Sequence, residues 1–373
     1  MRIGIDARMY GPKVGGGGLG RYIEQLVKNL NMLKDKNRFV LFLKPENAKD
    51  CKADKNRFEK RIVDIHWYGI KEQLLLASKI DAQKLDLIHF PHWNVPLNLK
   101  TPFIITIHDL ILLEQPHSAR ITTRNPLLYK LKYWGFKRVL RSAIKRAKHI
   151  IAVSDFTKSS ILKHFPGTDP NKITVIHEGV TTLETHDQKD CNIDLPKDPY
   201  FLYVGNAYPH KNLESLLHAF SFFTKLHPKI TLVLAGRKDV FYQRLKKEVD
   251  EIGIPEERVH FIMSPSDAEL HELYRHAMLY LFPSRMEGFG LPPLEAMQEG
   301  IPVAAARAGS LPEILGDAAM YFHPDDIEEM VRIMETTLED ESLRKDLIKK
   351  GKKQIKQYSW KKMAEEISKI YAA

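Results

Sequence analysis

The sequence predicts an α/β protein made of two Rossmann-like domains, and three observations support this prediction. The chain has 373 residues, which is more than a single hydrophobic core usually serves. Short apolar runs alternate with longer stretches of helical periodicity along the whole chain. A polar stretch over residues 181–199, which ends in Pro196 and Pro199, separates two halves of similar length.

Near-continuous apolar strands between amphipathic helices are typical of parallel sheets covered on both faces. The strands predicted in the first half are Arg2–Asp6, Phe39–Leu43, Ile62–His66, Leu87–Phe90, Phe103–Ile107, Ile150–Val153 and Ile173–His177. Those in the second half are Phe201–Val204, Ile230–Ala235, Val259–Ile262, Leu279–Phe282 and Val303–Ala306. We therefore expect an N-terminal domain at residues 1–185 and a C-terminal domain at 196–355. A final amphipathic helix within 356–373 is expected to cross back to the N-terminal domain.

The positive charge of the chain lies almost entirely in its first half. Residues 1–190 carry 33 Lys and Arg against 19 Asp and Glu, whereas residues 191–373 carry 24 against 28. Such a field favours a phosphate-bearing partner: an anionic membrane surface, a lipid-linked phosphate or a nucleic acid. The stretch 118–149 is basic and aromatic and has no Asp or Glu, which suits a bilayer surface as well as an ordinary solvated helix. No recognised nucleic-acid motif is present, so we expect no nucleic-acid partner.

Three further features of the sequence predict the cellular compartment of the protein. The first residues run directly into a strand without a signal-peptide pattern, and no apolar run is long enough to span a membrane. Cys51 and Cys191 fit no metal motif and are interpreted as reduced thiols. We expect a cytoplasmic protein that can lie peripherally on the inner face of the membrane.

Two glycine-rich segments predict loops that bind anions and hydroxyls. Residues 15–20 follow the first strand and open a helix, where bare amides can approach an anion closely. The second strand ends at Leu43 without an acidic residue, so a nicotinamide site is disfavoured. The segment from Glu287 to Glu295 follows another strand, and its glycines leave amides bare for a diphosphate. Its two carboxylates can each accept hydrogen bonds from a pair of hydroxyls.

This second segment resembles the E-x7-E signature of retaining GT-B glycosyltransferases of family 4, and the resemblance covers nearly the whole chain. The motifs that follow the family order are Ile3–Arg8 with the glycine loop, Thr106–Leu110, Ala152–Thr157, Val175–Val180, Tyr203–Asn212 and Gly309–Glu313. The resemblance implies two Rossmann-like domains that face each other across a cleft. It also implies transfer of a hexose from a nucleotide diphosphate sugar to a glycan or lipid-linked acceptor, with retained configuration and without a metal ion or other cofactor.

The resemblance also implies roles for individual residues. Glu287 would hold hydroxyls of the donor sugar, and Glu295 would hold the ribose. Lys211 would neutralise the departing diphosphate, and His108 would contact the donor from the N-terminal domain. Further donor-binding positions implied by the resemblance are Gly17, Gly18, Asn206, Phe261, Met263, Phe289, Gly290 and Leu291. His92 and Asn94, which follow a strand of the first half, could line the acceptor site or form a packing corner.

One departure from the family pattern concerns the diphosphate. Many members carry an arginine after the glycine of the phosphate-binding strand, where this chain has Asn206. Either Lys211 and helix dipoles suffice, or another cation such as Arg307 compensates. The likeness to mannosyltransferases points to GDP-mannose, with UDP-glucose as the alternative donor. Two other classes stay open: an epimerase or phosphorylase on the same architecture, and a non-catalytic nucleotide-sugar-binding protein.

Overall fold

The structure is a computed structural model that describes residues 1–11, 14, 17–116, 126–181, 193 and 195–372. Several residues discussed above, namely Gly15, Gly16, Arg120, Arg124 and Cys191, lie outside the described residues. The chain forms two compact units, one made of Met1–Gly179 with Ser359–Ala373 and the other of Val180–Tyr358. Cys51 is buried with a free thiol.

The first unit is built on a seven-stranded sheet in the order β3-β2-β1-β4-β5-β6-β7, in which every described pairing is parallel. Its strands are β1 (Arg2–Asp6), β2 (Arg38–Leu43), β3 (Phe58–Ile62), β4 (Leu87–Phe90), β5 (Phe103–Ile107), β6 (His149–Ala152) and β7 (Ile173–Val175). Its first helices are α1 (Gly17–Met32), α2 (Ile70–Asp81), α3 (Ile111–Glu114), α4 (Pro126–Arg146) and α5 (Asp155–His164).

Helices α2, α4 and α5 cover one face of this sheet. Leu76 of α2, Leu140 of α4 and Ile161 of α5 share one buried cluster with the strand residues Ile88 and Ile105. The apolar face of each helix therefore explains its position, because burial of these side chains against the sheet stabilises the layer.

The third strand is placed differently from the sequence-based expectation. The predicted run Ile62–His66 is wrong, because β3 spans Phe58–Ile62 and pairs with β2 up to the register Leu43–Ile62. This is an edge strand, so most of its side chains remain exposed and its sequence lacks an apolar pattern. Val63 and Ile65, which produced the apolar signal, are buried in the segment that follows the strand.

The second unit has a six-stranded parallel sheet in the order β10-β9-β8-β11-β12-β13. Its strands are β8 (Tyr200–Val204), β9 (Thr231–Gly236), β10 (Val259–Met263), β11 (Leu279–Phe282), β12 (Val303–Ala306) and β13 (Ala319–Phe322), of which the short edge strand β13 was not predicted. Its helices are α6 (Leu213–Leu226), α7 (Val240–Ile252), α8 (Asp267–His276), α9 (Leu291–Gln298), α10 (Leu311–Leu315), α11 (Ile327–Glu339) and α12 (Glu341–Gln354).

The last helix, α13 (Trp360–Ala372), belongs to the first unit. The Tyr371 hydroxyl contacts Nδ1 of His89 at 2.7 Å, and the Ser368 hydroxyl donates to Asp35 at 3.2 Å. The first residue of this helix, Trp360, packs against the backbone of Gly179. A Cβ atom at position 179 would lie only 2.2 Å from the Trp360 nitrogen. Glycine is therefore required at this close approach of two backbone segments.

Each sheet has a point at which the strand order reverses, and the functional candidates lie there. The reversal falls between β1 and β4 in the first unit and between β8 and β11 in the second. Ligands of doubly wound sheets bind outside the carboxyl ends of the strands at such points. Among the described residues, no helix has the length and apolar character needed to cross a membrane.

Candidate functional site

An ion pair between Lys211 and Glu287 occupies the reversal point of the second sheet. Nζ of Lys211 donates to Oε1 of Glu287 at 2.5 Å, and their side chains are only 13% and 11% exposed. The ammonium group also lies 5.5 Å from the centre of the Phe282 ring, at the end of β11. Burial of both charges next to an aromatic ring makes their mutual attraction stronger than it would be in water.

The position of Lys211 is fixed by the residue that follows it. Lys211 ends a 3-10 turn after β8, and Asn212 adopts a left-handed conformation with φ of 62° before α6 begins. The side-chain amide of Asn212 donates to the carbonyls of Pro283 and Pro324 at 3.1 and 2.6 Å. Asparagine tolerates this backbone conformation, and here its amide ties the lysine turn to the carboxyl end of β11.

The segment of Glu287 is held from the start of α10. The Ser310 hydroxyl donates to the carbonyls of Glu287 and Phe289 at 3.1 and 3.0 Å. Gly309 has φ of 59°, and a Cβ atom there would lie 2.7 Å from the Glu287 carbonyl oxygen. These contacts explain why the Gly309–Glu313 motif accompanies the glutamate motif, since the two segments pack backbone to backbone.

The same loop opens helix α9. Gly290 has φ of 109° and precedes the first helical residue, Leu291. Because Pro292 and Pro293 have no N–H, the backbone donors of this first turn are those of Leu291 and Leu294. Phe289 is buried and packs edge-to-face on Tyr358, with ring centres 5.4 Å apart. Glu295 lies half-buried on the second turn of this helix.

Tyr280 lies within reach of the charges of both carboxylates. Burial is the main cause that raises the pKa of its hydroxyl well above the usual value, and the charges of Glu295 and Glu287 add to the effect. The hydroxyl donates to the carbonyl of Val204 at 3.0 Å. The structure thus places Lys211 in contact with Glu287, and Glu295 on the helix that follows the same loop.

The other predicted donor residues of this unit spread along the carboxyl edge. Asn206 follows β8, and its side-chain oxygen accepts from the Tyr208 amide at 3.3 Å, so it forms a turn and supplies no charge. Phe261 and Met263 belong to the edge strand β10, and Met263 pairs with Gly236 at the end of β9. They lie two strands away from β8 and not at the reversal point.

Two cations at this edge were missed by sequence reasoning. Arg237 and Lys238 directly follow β9, the neighbour of β8, and both are exposed. The suggested substitute Arg307 follows β12 on the other side, where its guanidinium lies 5.0 Å from the Tyr321 ring centre. The strand order could have revealed the first two, because β9 is a direct neighbour of β8, which Asn206 follows.

Metal binding finds no structural support within the described ranges. No group of three or more His, Cys, Asp or Glu is placed there to hold a metal ion. Asp326 caps α11, since its side chain accepts from the Glu329 amide at 2.8 Å. Asp325 pairs with Arg285 at 2.7 Å.

The contacts of His108 in the first unit favour its protonated form. Its Nδ1 lies 2.8 Å from Oε1 of Glu178, and its Nε2 lies 3.1 Å from the carbonyl oxygen of Pro91. Both partners are hydrogen-bond acceptors, so the form of the ring in which both nitrogens donate satisfies them both. Burial alone would lower the pKa of His108, but the hydrogen bond and charge of Glu178 outweigh this effect and raise it.

Glu178 is a residue to which the sequence analysis assigned no role. It lies after β7 and is buried, and it belongs to the quoted motif Val175–Val180. The signal that could have found it is the position of this motif, because β5 and β7 flank β6 and their carboxyl ends share one edge.

The two acceptor candidates have different environments. The Asn94 amide is buried and donates to Glu72, which also receives a 2.5 Å hydrogen bond from Arg8. Its polar group is therefore used inside the protein. His92 is half-buried, and Nε2 lies 2.9 Å from the Tyr68 hydroxyl. Burial, together with the nearby positive charge of His108, lowers the pKa of His92 to about 3, so this ring is neutral at physiological pH.

The glycine loop is described from Gly17 onward. Gly17 and Gly18 are exposed at the start of α1, and Gly17 has φ of 45°. The first turn of this 16-residue helix contains no acidic side chain, so its positive end is not neutralised locally. This arrangement can attract an anion.

Comparisons with known proteins extend this picture. Residues 187–354 match the family model of glycosyl transferases group 1, and residues 16–183 match that of glycosyltransferase family 4. The chain is 30% identical to the O-antigen chain mannosyltransferase RfbU of Salmonella typhimurium, over 71% of this chain and 69% of the relative. It is 27% identical to the O-antigen chain mannosyltransferase B of Escherichia coli, over 92% of each.

Solved structures agree with the fold. The chain is similar to sucrose-phosphate synthase from Thermosynechococcus elongatus with a TM-score of 0.76 at 19% identity, covering 100% and 98% of the two chains. Anabaena HepE in complex with UDP and glucose gives a TM-score of 0.75 at 18% identity, with 100% and 99% covered. WaaG, a glycosyltransferase involved in lipopolysaccharide biosynthesis, gives 0.74 at 16% identity, with 99% of each chain covered. These likenesses confirm the predicted GT-B class with two Rossmann-like domains.

The charge of His108 depends on Glu178, which gives a direct test. In Glu178→Gln the carboxylate is lost, so the pKa of His108 falls and its ring loses the second proton at lower pH. NMR titration of the imidazole nitrogens measures this. Glu114→Gln is the matched control, because Glu114 contacts His164 at 2.7 Å and should leave the His108 titration unchanged. An unaltered His108 pKa in Glu178→Gln would contradict the assigned cause.

Proposed function

We propose, from the premise that this chain belongs to glycosyltransferase family 4, that it transfers a hexose from a nucleotide diphosphate sugar to a glycan or lipid-linked acceptor. We further propose that the anomeric configuration is retained and that no metal ion takes part. The observation that carries the proposal is the pairing of Lys211 with Glu287 close to the start of α9, at the reversal point of the second sheet.

The chemistry requires stabilisation of a departing diphosphate. As the bond between the anomeric carbon and the phosphate oxygen breaks, negative charge grows on the diphosphate, and the Lys211 ammonium and helix amides stabilise it. Glu287 binds hydroxyls of the sugar and Glu295 those of the ribose. The acceptor hydroxyl bonds to the anomeric carbon on the same face and passes its proton to a departing phosphate oxygen. The first unit has an anion-attracting feature of its own, the exposed start of α1.

The assignment of Glu287 to binding follows from its partner. A carboxylate that acts as a nucleophile must be free to approach the anomeric carbon, as in retaining hydrolases. Here one carboxylate oxygen is engaged by Lys211, and the backbone is held by Ser310. We therefore assign retention to same-face delivery and not to a covalent intermediate on Glu287.

For the donor we propose GDP-mannose, with UDP-glucose as the alternative. Two of the relatives named above, 30% and 27% identical to this chain, are mannosyltransferases of O-antigen chains. HepE, with a similar fold, has been solved with UDP and glucose, which keeps the alternative open.

A screen of nucleotide sugars tests the donor and the reaction together. A donor at about 100 times its dissociation constant stabilises the folded protein by about 2.7 kcal/mol. We expect GDP-mannose to raise the melting temperature more than UDP-glucose, and transfer to a glycan to persist in EDTA. A free epimer or a sugar phosphate as product would assign the chain to another class. Loss of transfer in EDTA that Mn²⁺ restores would refute metal independence.

Removal of the lysine should separate catalysis from stability. Lys211→Met leaves Glu287 buried without its partner, so the folded protein loses about 3–5 kcal/mol while keeping its fold. The kcat of transfer should fall by at least about 100-fold. In the double variant Lys211→Met with Glu287→Gln, the melting temperature recovers and transfer does not. Lys225→Met, an exposed lysine of α6, serves as control. Near-normal turnover in Lys211→Met would refute the role of this residue.

We also propose that helix α4 contacts an anionic bilayer. Its exposed apolar residues Leu128, Leu131 and Trp134 lie at spacings of three, so they share one side of the helix. The helix has no Asp or Glu, and its exposed cations are Lys130, Lys132, Lys137, Arg138, Arg141, Lys145 and Arg146. A surface that is apolar and basic at once fits the headgroup region of anionic lipids.

Vesicle co-sedimentation tests this contact. The protein should bind vesicles that contain phosphatidylglycerol and not vesicles of phosphatidylcholine alone, and added salt should release it. Replacing Leu131 and Trp134 by Ser together should abolish most of the binding. Phe222→Ser, which removes an equally exposed apolar side chain from α6, should not. Equal, negligible binding to both kinds of vesicle would discard the membrane contact.

A further inference from the structure

Tyr68 combines two features that packing does not explain. Its φ is 61°, in the left-handed region that bulky side chains avoid. At the same time 54% of the residue is exposed, so burial of its ring does not offset the cost of that conformation. Conformations of this kind persist where the surrounding structure imposes them, and they concentrate at binding and catalytic sites.

The surrounding structure does impose it. The backbone nitrogen of Tyr68 donates to Oε2 of Glu72 at 2.8 Å. Glu72 is completely buried on α2 and is bound by Arg8 and by the Asn94 amide. Arg8 follows β1 and Asn94 follows β4, so this network fixes Tyr68 to the reversal point of the first sheet. The buried residues are positioning residues for the exposed one.

The ring of Tyr68 is fixed as well. It stacks on Trp93 with ring centres 5.4 Å apart and planes inclined by 26°, and its hydroxyl lies 2.9 Å from Nε2 of His92. Trp93 in turn packs edge-to-face on Phe136 of α4 at 4.8 Å. Tyr68 is therefore a rigid aromatic surface that is backed by a second ring and open to solvent over about half of the residue.

The polar groups around this surface are uncharged or already neutralised. The His92 ring is neutral, and among the described residues its buried Nδ1 has no hydrogen-bond partner, which a ligand hydroxyl could supply. The Arg8 guanidinium is buried and held by Asp6 and Glu72. His108 is paired with Glu178, and the charge of Asp109 adds to the burial that raises the pKa of the Tyr68 hydroxyl, so an anion is disfavoured here. A lipid chain would leave the imidazole of His92 without a partner. A sugar offers an apolar ring face and neutral hydroxyls.

We propose that Tyr68 is the platform on which a sugar of the acceptor stacks, with His92 as its neutral hydrogen-bonding neighbour. This assignment rests on the proposed glycosyltransferase function and narrows the acceptor to one that presents a saccharide. His92 directly follows Pro91, whose carbonyl accepts from His108, so the platform adjoins that histidine within the first unit. Tyr68 is thus a specificity-determining residue. Asn94 is a positioning residue, because it binds Glu72, which holds the backbone of Tyr68.

Three variants test the platform, with mannobiose and maltose as probes and saturation-transfer NMR as the binding measurement. Tyr68→Gly removes the ring and suits the left-handed backbone, so the melting temperature should stay at or above the native value while saccharide binding weakens about tenfold or more. Tyr68→Phe keeps the stacking surface and should retain most of the affinity. Phe222→Ala, which truncates an aromatic residue that is 55% exposed on α6, should bind as the native protein does.

The melting-temperature shift produced by GDP-mannose or UDP-glucose is measured on the same samples. Native-like saccharide binding by Tyr68→Gly, or no binding of either disaccharide by the native chain, overturns the platform, and an intact donor shift then leaves the proposed function standing. In another outcome, saccharide binding depends on Tyr68 but neither nucleotide sugar raises the melting temperature of the native chain. This result upholds the platform as a saccharide site and refutes the proposed transfer reaction.

Discussion

The ion pair between Lys211 and Glu287 is the interaction on which the second unit's chemistry depends. Removing two charges from water is costly, and their attraction in a buried site does little more than offset that cost. The pair therefore matters more for the two charged groups that it positions than for the stability that it adds. It holds an ammonium group and a carboxylate at the reversal point of the second sheet. Asn212 fixes the backbone next to Lys211, and Ser310 fixes the backbone of Glu287.

The origin of positive charge differs between the two units. The second half of the chain has an excess of acidic residues, so no general field draws an anion to it. In the proposed function, its attraction for a diphosphate comes from local groups, namely Lys211 and the two cations after β9. Such groups act over a few ångströms in a partly dry site, where salt screens them little. The first half, by contrast, has a broad positive surface whose influence is longer in range and sensitive to ionic strength.

The sequence predicted those parts of the site that are written in short, contiguous motifs. Glu287 and Lys211 follow strands that apolar runs reveal, and in a parallel sheet the ends of neighbouring strands must meet at one edge. Other features depend on residues distant in the chain. Glu178 becomes relevant only because it meets His108, 70 residues earlier. Asn94 looked like an acceptor residue because of its position after β4, yet its amide is used by Glu72. The edge strand β3 escaped prediction because its sequence, FEKRI, neither forms an apolar run nor alternates apolar and polar residues.

Two non-glycine residues with left-handed backbones, Asn212 and Tyr68, show why local sequence could not reveal the proposed saccharide platform. Asn212 carries a side chain that tolerates this conformation, and its amide makes two backbone hydrogen bonds. Tyr68 has no such local compensation; its conformation is imposed by a buried carboxylate on the next helix. That carboxylate is held in place by Arg8, which itself lies between Asp6 and Glu72. A network that buries Arg8 and Glu72 to hold one exposed ring has little value for stability alone, since well-packed apolar residues would serve as well. Its consistent explanation is that the position of the ring matters.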